Sequence, residues 1–98
     1  MNGMYTPPYV RNGLEIIKMK TYGCSLSNVA ANSHSTTTVQ LDTKEGQNRI
    51  WAVSNTGWGN VGNISIDDTT DIMTVQLVNP AAQAHALSAQ ILVIEYNE

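Results

Sequence analysis

The residues best placed by type and spacing to do chemistry lie between Asn55 and Asp71. Gly57, Gly59 and Gly62 are spaced G-x-G-x-x-G, as in loops that bring their backbone against a pyrophosphate. That chemistry needs the glycines to open a helix whose N-terminal N–H groups face the phosphates. Here Asn63–Asp67, NISID, follows instead, with Ile64 and Ile66 alternating as in a strand, so no nucleotide site is expected. In the same loop Trp58 stands among Asn55, Asn60 and Asn63. An indole can cover the apolar C–H face of a sugar ring while amides serve its hydroxyls, so these four are the candidate ligand contacts. The plainer expectation is that Trp58 packs over a sheet edge or into a subunit contact. Asp67, Asp68 and Asp71 are carboxylates of the kind that gather calcium, but DDTTD has no EF-hand spacing. Asp is favoured at turns for its local hydrogen bonds, so a hairpin turn is expected and no metal is assigned.

Elsewhere the inventory for catalysis is thin. His34 and His85 lie in polar or Ala-rich stretches and share no strand or helix face, and neither G-x-S-x-G nor H-E-x-x-H occurs. No catalytic residue and no cofactor is assigned, and an enzyme is not expected. Cys24 is the single cysteine, which excludes an intrachain disulfide and is expected to act as a small buried hydrophobe. Asn63-Ile64-Ser65 is a glycosylation sequon that matters only in a secreted chain.

The elements that must position these groups belong to one domain of 98 residues, a length that buries only about two-thirds of the surface exposed on unfolding. Charged residues make up 13% of the chain and the formal net charge is -3. With no Lys/Arg cluster, nothing attracts a phosphate backbone or an anionic membrane, so neither nucleic acid nor membrane insertion is expected. The polar residues are mostly Asn, Ser, Thr and Gln, a surface suited to uncharged partners such as glycans. MNGMYTPPYVRNG has neither the basic start nor the apolar run of a signal peptide, and no stretch reaches the ~18 apolar residues of a membrane helix. Synthesis in the cytoplasm is the expectation.

Residues 1–13, with Pro7, Pro8, Tyr5 and Tyr9, read as an arm or linker, its tyrosines candidates for packing across a neighbouring subunit. Residues 14–98 read as strands. Leu14–Tyr22 would place Ile17 and Met19 on one face and Leu14, Ile16, Lys18, Lys20 and Tyr22 on the other, Gly23 would break it, and an irregular strand would follow over Cys24–Val29. Ser35–Leu41 alternates in stiff Thr and Val residues, Asp42–Asn48 is a charged exposed turn, and Arg49–Thr56 is a strand with Trp51 in the core. Ile72–Asn79 directs Met73, Val75 and Leu77 one way. Pro80–Leu87 makes a crossover, helical or irregular.

The final run, Leu87–Tyr96, is apolar on both alternating faces, with Leu87, Ala89, Ile91 and Val93 opposed to Leu92, Ile94 and Tyr96. Such a strand must be covered on both sides, and a second copy of the chain is the natural cover. The expected interface residues are Leu92, Ile94 and Tyr96 with Tyr5 and Tyr9. Aspartate at Leu92 or Ile94 is then expected to abolish folding and assembly together.

A proline-bearing arm, an antiparallel β-domain of six to seven strands and the closing VNPAAQAHALSAQILVIEY together resemble the C-terminal head domains of bacteriophage fibre and appendage proteins, many of them β-sandwiches like the H-type lectins. The resemblance spans about Gly13 to Glu98 and rests on NSHSTTTVQL, TVQLVNP and ILVIEY. It implies an all-β antiparallel sandwich assembling as a trimer, located in the virion and recognising a host surface carbohydrate. A purely structural trimerisation or head-decoration module, and a cellular lectin-like interaction module, are the alternatives.

Overall fold

The computed structural model describes residues 10–11 and 14–98. The arm expected over residues 1–13, with Tyr5 and Tyr9, lies outside the described residues apart from Val10 and Arg11. The chain is all-β: β1 (Val10–Arg11), β2 (Leu14–Val29), β3 (Ser33–Gln40), β4 (Asn48–Thr56), β5 (Asn60–Asp67), β6 (Ile72–Asn79) and β7 (His85–Asn97). A four-stranded sheet runs β1-β2-β7-β4 and a three-stranded sheet β3-β6-β5. Every pairing is antiparallel. The chain changes sheet between β2 and β3, β3 and β4, β4 and β5, and β6 and β7, while β5 and β6 form a hairpin within one sheet.

The inward side chains of both sheets belong to one buried cluster. Leu87, Ala89, Ile91 and Val93 of β7 face Met73, Val75 and Leu77 of β6, with Tyr22, Val29 and Leu41 beside them. Ile64 and Ile66 pack against this cluster from β5, as their alternation requires. The β6 strand has the bounds that its pattern predicts, because every second side chain is buried, the apolar Met73, Val75 and Leu77 and then Asn79.

Three expectations are corrected. Gly23 does not break a strand: β2 runs unbroken for 16 residues, because its register with β7 continues through Gly23 opposite Gln90. A bulge between Ile16 and Lys18 inserts Ile17, so Ile16 faces the same way as Met19 and away from Lys18 and Tyr22. Trp51 is not core: it is 42% exposed. Its indole points to the inner side, opposite the buried Val93, but β4 is the sheet's edge strand and the second sheet covers it incompletely.

The crossover between β6 and β7 is irregular and contains no helix. It is held by Asn79, which is fully buried. Its Nδ2 donates to the carbonyls of Val29 (2.9 Å), Ala30 (3.2 Å) and Gln83 (2.9 Å), and its Oδ1 accepts from Ala81 N–H at 2.9 Å. One side chain thus joins the β2–β3 turn to the crossover, and Asn32 N–H reinforces the joint by donating to Ala81 O. Asn79→Ala leaves the buried Val29 carbonyl and the part-buried carbonyls of Ala30 and Gln83 without this donor, and a loss of about 2–3 kcal/mol is expected, measured by denaturant unfolding. A loss below about 0.5 kcal/mol would mean that water replaces the amide.

Candidate functional site

Opposed residues in an antiparallel pair project from the same face, so the register defines the outer face of the first sheet row by row. Ile94 lies between Met19 and Ile50, Leu92 between Thr21 and Ala52, and Tyr96 between Ile16 and Asn48. Leu92, Ile94 and Tyr96 are half-buried by these neighbours, whereas Met19 is 59% and Ile50 49% exposed. The interface residues predicted on β7 therefore centre an apolar patch that the described residues leave open. Trp51 and Val53 of β4 are exposed as well, on the opposite face, and among the described residues one edge of β4 has no strand partner. No Pro or Lys guards that strand, although both are common devices against edge-to-edge pairing.

Charge is gathered at one end of the sheets. Of five Lys and Arg and eight Asp and Glu in the chain, Lys18, Lys20, Lys44 and Arg49 pair with Asp42, Glu45, Asp68, Asp71 and Glu95. The Arg49 side chain, only 2% exposed, holds Nη1 3.1 Å from Asp68 Oδ1 and 3.0 Å from Asp71 Oδ1. Glu95, also buried, accepts the N–H groups of Glu45 and Gly46. The Asp42–Asn48 segment is therefore a clamped connection between β3 and β4, where a freely exposed turn was expected. The lysines lie beyond the horizon of a local reading, 22 to 24 residues from Asp42.

Hydrogen bonds from Lys20 and Lys18 hold the Asp42 carboxyl down at about 2. Burial pushes Asp68 upward, but Lys44 and Arg49 outweigh it and keep its carboxyl below the usual value. Asp67 to Asp71 form a turn in which Asp71 N–H donates to Asp67 O and Thr69 N–H to Asp67 Oδ1, with Asp71 in the left-handed region at φ 58°. The turn behaves as DDTTD predicts. No cluster of His, Cys, Asp and Glu suited to a metal occurs among the described residues.

The other end carries the predicted ligand contacts and separates them. Trp58 stacks on His85 with centroids 4.0 Å apart and planes 16° from parallel, so one face of the indole is already covered. Gly59, at φ 90°, brings the chain so close to Val78 O and Leu87 Cδ2 that a Cβ would lie 2.7 and 2.8 Å from them, a structural role for that glycine. Asn60 and Asn63 stand on β5 in the second sheet, where Asn63 N–H donates to Gln76 Oε1. Asn55 lies on the first sheet, lining a cleft of about 320 Å³ with Gly23, Ser25, Gly57, Ser88 and Gln90. Of the four predicted contacts only Asn55 reaches that cleft. The sequence drew attention to Gly57 only through the glycine pattern and to Gly23 only as a strand break, although a glycine inside a strand is a signal of close approach that could have found the cleft.

Cys24 packs against the core with Sγ 3.7 Å from Ala89 O. Burial pushes its thiol up, away from the thiolate form that nucleophilic chemistry uses.

No family model matches the chain, and neither a curated protein nor a solved structure matches it. The geometry by itself defines a class. It is an all-β domain with its ion pairs at one end, a neutral polar cleft toward the other and an open apolar face on the first sheet.

Proposed function

We propose that this chain is the β-sandwich protomer of a homotrimer, the head of a bacteriophage fibre or appendage, and that it recognises a neutral carbohydrate on the host cell surface. The observation that carries the reading is the open apolar patch around Leu92 and Ile94, flanked by the exposed Met19 and Ile50. Burying an Ile or Leu side chain contributes roughly 1.5–3 kcal/mol, so association that covers several of them in every protomer is strongly favoured. The charged residues are largely engaged with one another, which leaves hydroxyls and amides as the groups free to meet a partner. Three copies multiply a weak sugar contact through avidity.

Light scattering on a size-exclusion column, followed by a glycan array with the same material, tests the reading. The expected mass is three times the 10.7 kDa of the chain, with binding to neutral glycans that is insensitive to salt. A stable monomer at micromolar concentration would remove the support for assembly. The stacking of Trp58 on His85 favours a second reading, a trimerisation module without a ligand of its own, in which the trimer forms and the array stays blank.

A further inference from the structure

We infer that the cleft on the outer face of the first sheet, floored by Gly23 and flanked by Asn55, Gln90, Ser25 and Ser88, binds a single neutral sugar ring. The inference rests on the carbohydrate reading above and gives it a location away from Trp58.

Three strands build the cleft in register. Gly23 of β2 lies opposite Gln90 of β7, which lies opposite Asn55 of β4, and Ser25 lies opposite Ser88 two rows further on. Gly57 N–H donates to Ser88 O at 2.9 Å, which fixes the end of β4 over that row. Asn55 owes its position to a bulge. The register shifts between Val53, opposite the buried Ile91, and Asn55, opposite the exposed Gln90. The inserted Ser54 thus turns Asn55 from the inner face to the outer one. Bulges recur where a side chain must be re-aimed at a site.

Gly23 supplies an independent observation. Glycine inside a strand weakens it, and its usual reasons are a bulge, a tight bend, or the close approach of a ligand or another backbone. Gly23 sits in continuous register and its φ is not positive. A Cβ built on it meets nothing within 4 Å. Among the described residues nothing requires the hydrogen there, and the open space above it admits the close approach of a ligand.

The chemistry of the walls selects that something. Among the described residues, the Ser54 hydroxyl and the Gly57 N–H reach the main-chain carbonyls of Gln90 and Ser88, the side chains of Ser25, Asn55, Ser88 and Gln90 are left to meet a ligand, and no charged residue lines the cleft. Two amides and two hydroxyls offer donors and acceptors in mixture, the complement of a polyol whose every hydroxyl both gives and takes. A volume of about 320 Å³ lies at the small end of ligand pockets, which suits one ring better than a chain.

The test is a titration of the ¹⁵N-labelled protein with the methyl glycosides of glucose, galactose, mannose and N-acetylglucosamine at millimolar concentration. Backbone signals of Gly23, Ser25, Ser88 and Gln90 and the Asn55 side-chain amide are expected to move with at least one of them. Gly23→Val fills the floor while adding a residue that strands favour. It is expected to keep the mass and melting temperature of the wild type and to weaken binding at least tenfold, a change of about one decade in Kd. Asn55→Ala, at an exposed position, is expected to weaken binding without filling the cleft. Shifts confined to Trp58 and His85 that survive Gly23→Val would overturn this site and leave the carbohydrate reading standing. No shift with any glycoside would overturn both. Loss of the oligomer in Gly23→Val would also overturn the site, by making the cleft a contact between subunits.

Discussion

Arg49→Ala is expected to lower the stability of the protein by about 3–5 kcal/mol, the usual result of removing one partner from a buried charge cluster. The magnitude follows from what stays behind. Asp71 and Asp68 at 3.0 and 3.1 Å lose their shared cation, and Glu95, with Oε2 3.8 Å from Arg49 Nη2, remains buried without it. Arg49 Nη2 also donates to Asp42 O at 3.0 Å, so the β3–β4 connection loses an anchor in the same step. For a domain whose margin is about 5–15 kcal/mol, this approaches loss of the fold at growth temperature. Urea unfolding of the purified variant measures it, and a loss below about 1 kcal/mol would mean that the cluster behaves as surface ion pairs do. Should the variant prove too unstable to handle, Arg49→Met with Glu95→Gln is the control. It removes the cation and one buried anion together, and the introduced amide oxygen can still accept the N–H groups of Glu45 and Gly46 that the carboxylate accepts in the wild type. A recovery of more than half the loss is expected.

The response to acid distinguishes this account from simple loss of packing. Asp42 is held down to about 2 and Asp68 below its ordinary value. Each therefore contributes stability that is present above the unfolded carboxyl value of 3.8. For Asp42 that contribution is lost as the pH falls from there toward 2, and for Asp68 it is lost over the corresponding acid range below 3.8. The wild type should lose stability through that window. Arg49→Ala removes one of the two cations that hold Asp68 down, so Asp68 contributes less above 3.8 and the deficit against wild type should narrow as the pH falls below that value. A deficit that stays constant with pH would assign it to packing alone.

What could be read from the sequence was the part governed by alternation. In β6 and the inner face of β7 the apolar residues recur every second position without interruption, and burial follows that period closely. Bulges broke the same reasoning elsewhere. Ile17 moves Ile16 to the face of Met19, and Ser54 moves Asn55 to the face of Gln90, because one inserted residue reverses every side chain on one side of it. Neither inserted residue announces itself, being an ordinary strand residue in an ordinary strand. Glycine carried opposite meanings at Gly23 and Gly59: the first continues a strand over open space, the second is demanded by a positive φ and two close neighbours.

Partnership across the chain was the other limit. Asn79-Pro80 reads equally as a helix cap or a turn, since an Asn amide serves both, and only the nearness of Val29, Ala30 and Gln83 makes it a buried pin. Asp42 to Asn48 looks exposed because its cations come from β2 and β4. In the candidate site, sequence proximity gathered Trp58 with three asparagines, whereas the sheets divide them. The residues that join Asn55 come largely from β2 and β7, about 30 or more positions away.

Ile94→Asp is expected to abolish self-association while the protomer remains folded. Ile94 projects from the outer face, half-exposed, and takes no part in the buried cluster formed by Leu87, Ala89, Ile91 and Val93 with β6. The protomer core closes without it, so the cost within one chain is about 1 kcal/mol. The expectation from sequence that folding and assembly fail together is thereby divided in two. Between copies the balance differs: a carboxylate at the centre of the Met19, Ile50, Leu92 patch would be desolvated with no cation beside it, a penalty of several kcal/mol per subunit. Light scattering should give the monomer mass for Ile94→Asp, with a near-ultraviolet dichroism spectrum of native shape. Ile91→Asp, which puts the charge at a position 0% exposed, should yield no folded protein at all. An Ile94→Asp variant that keeps the wild-type mass would show that copies meet elsewhere, with the unpaired edge of β4 and its exposed Trp51 and Val53 the next surface to test. A variant that unfolds as completely as Ile91→Asp would mean that the outer face is as much a part of the fold as the inner one, and that the protomer exists only within its assembly.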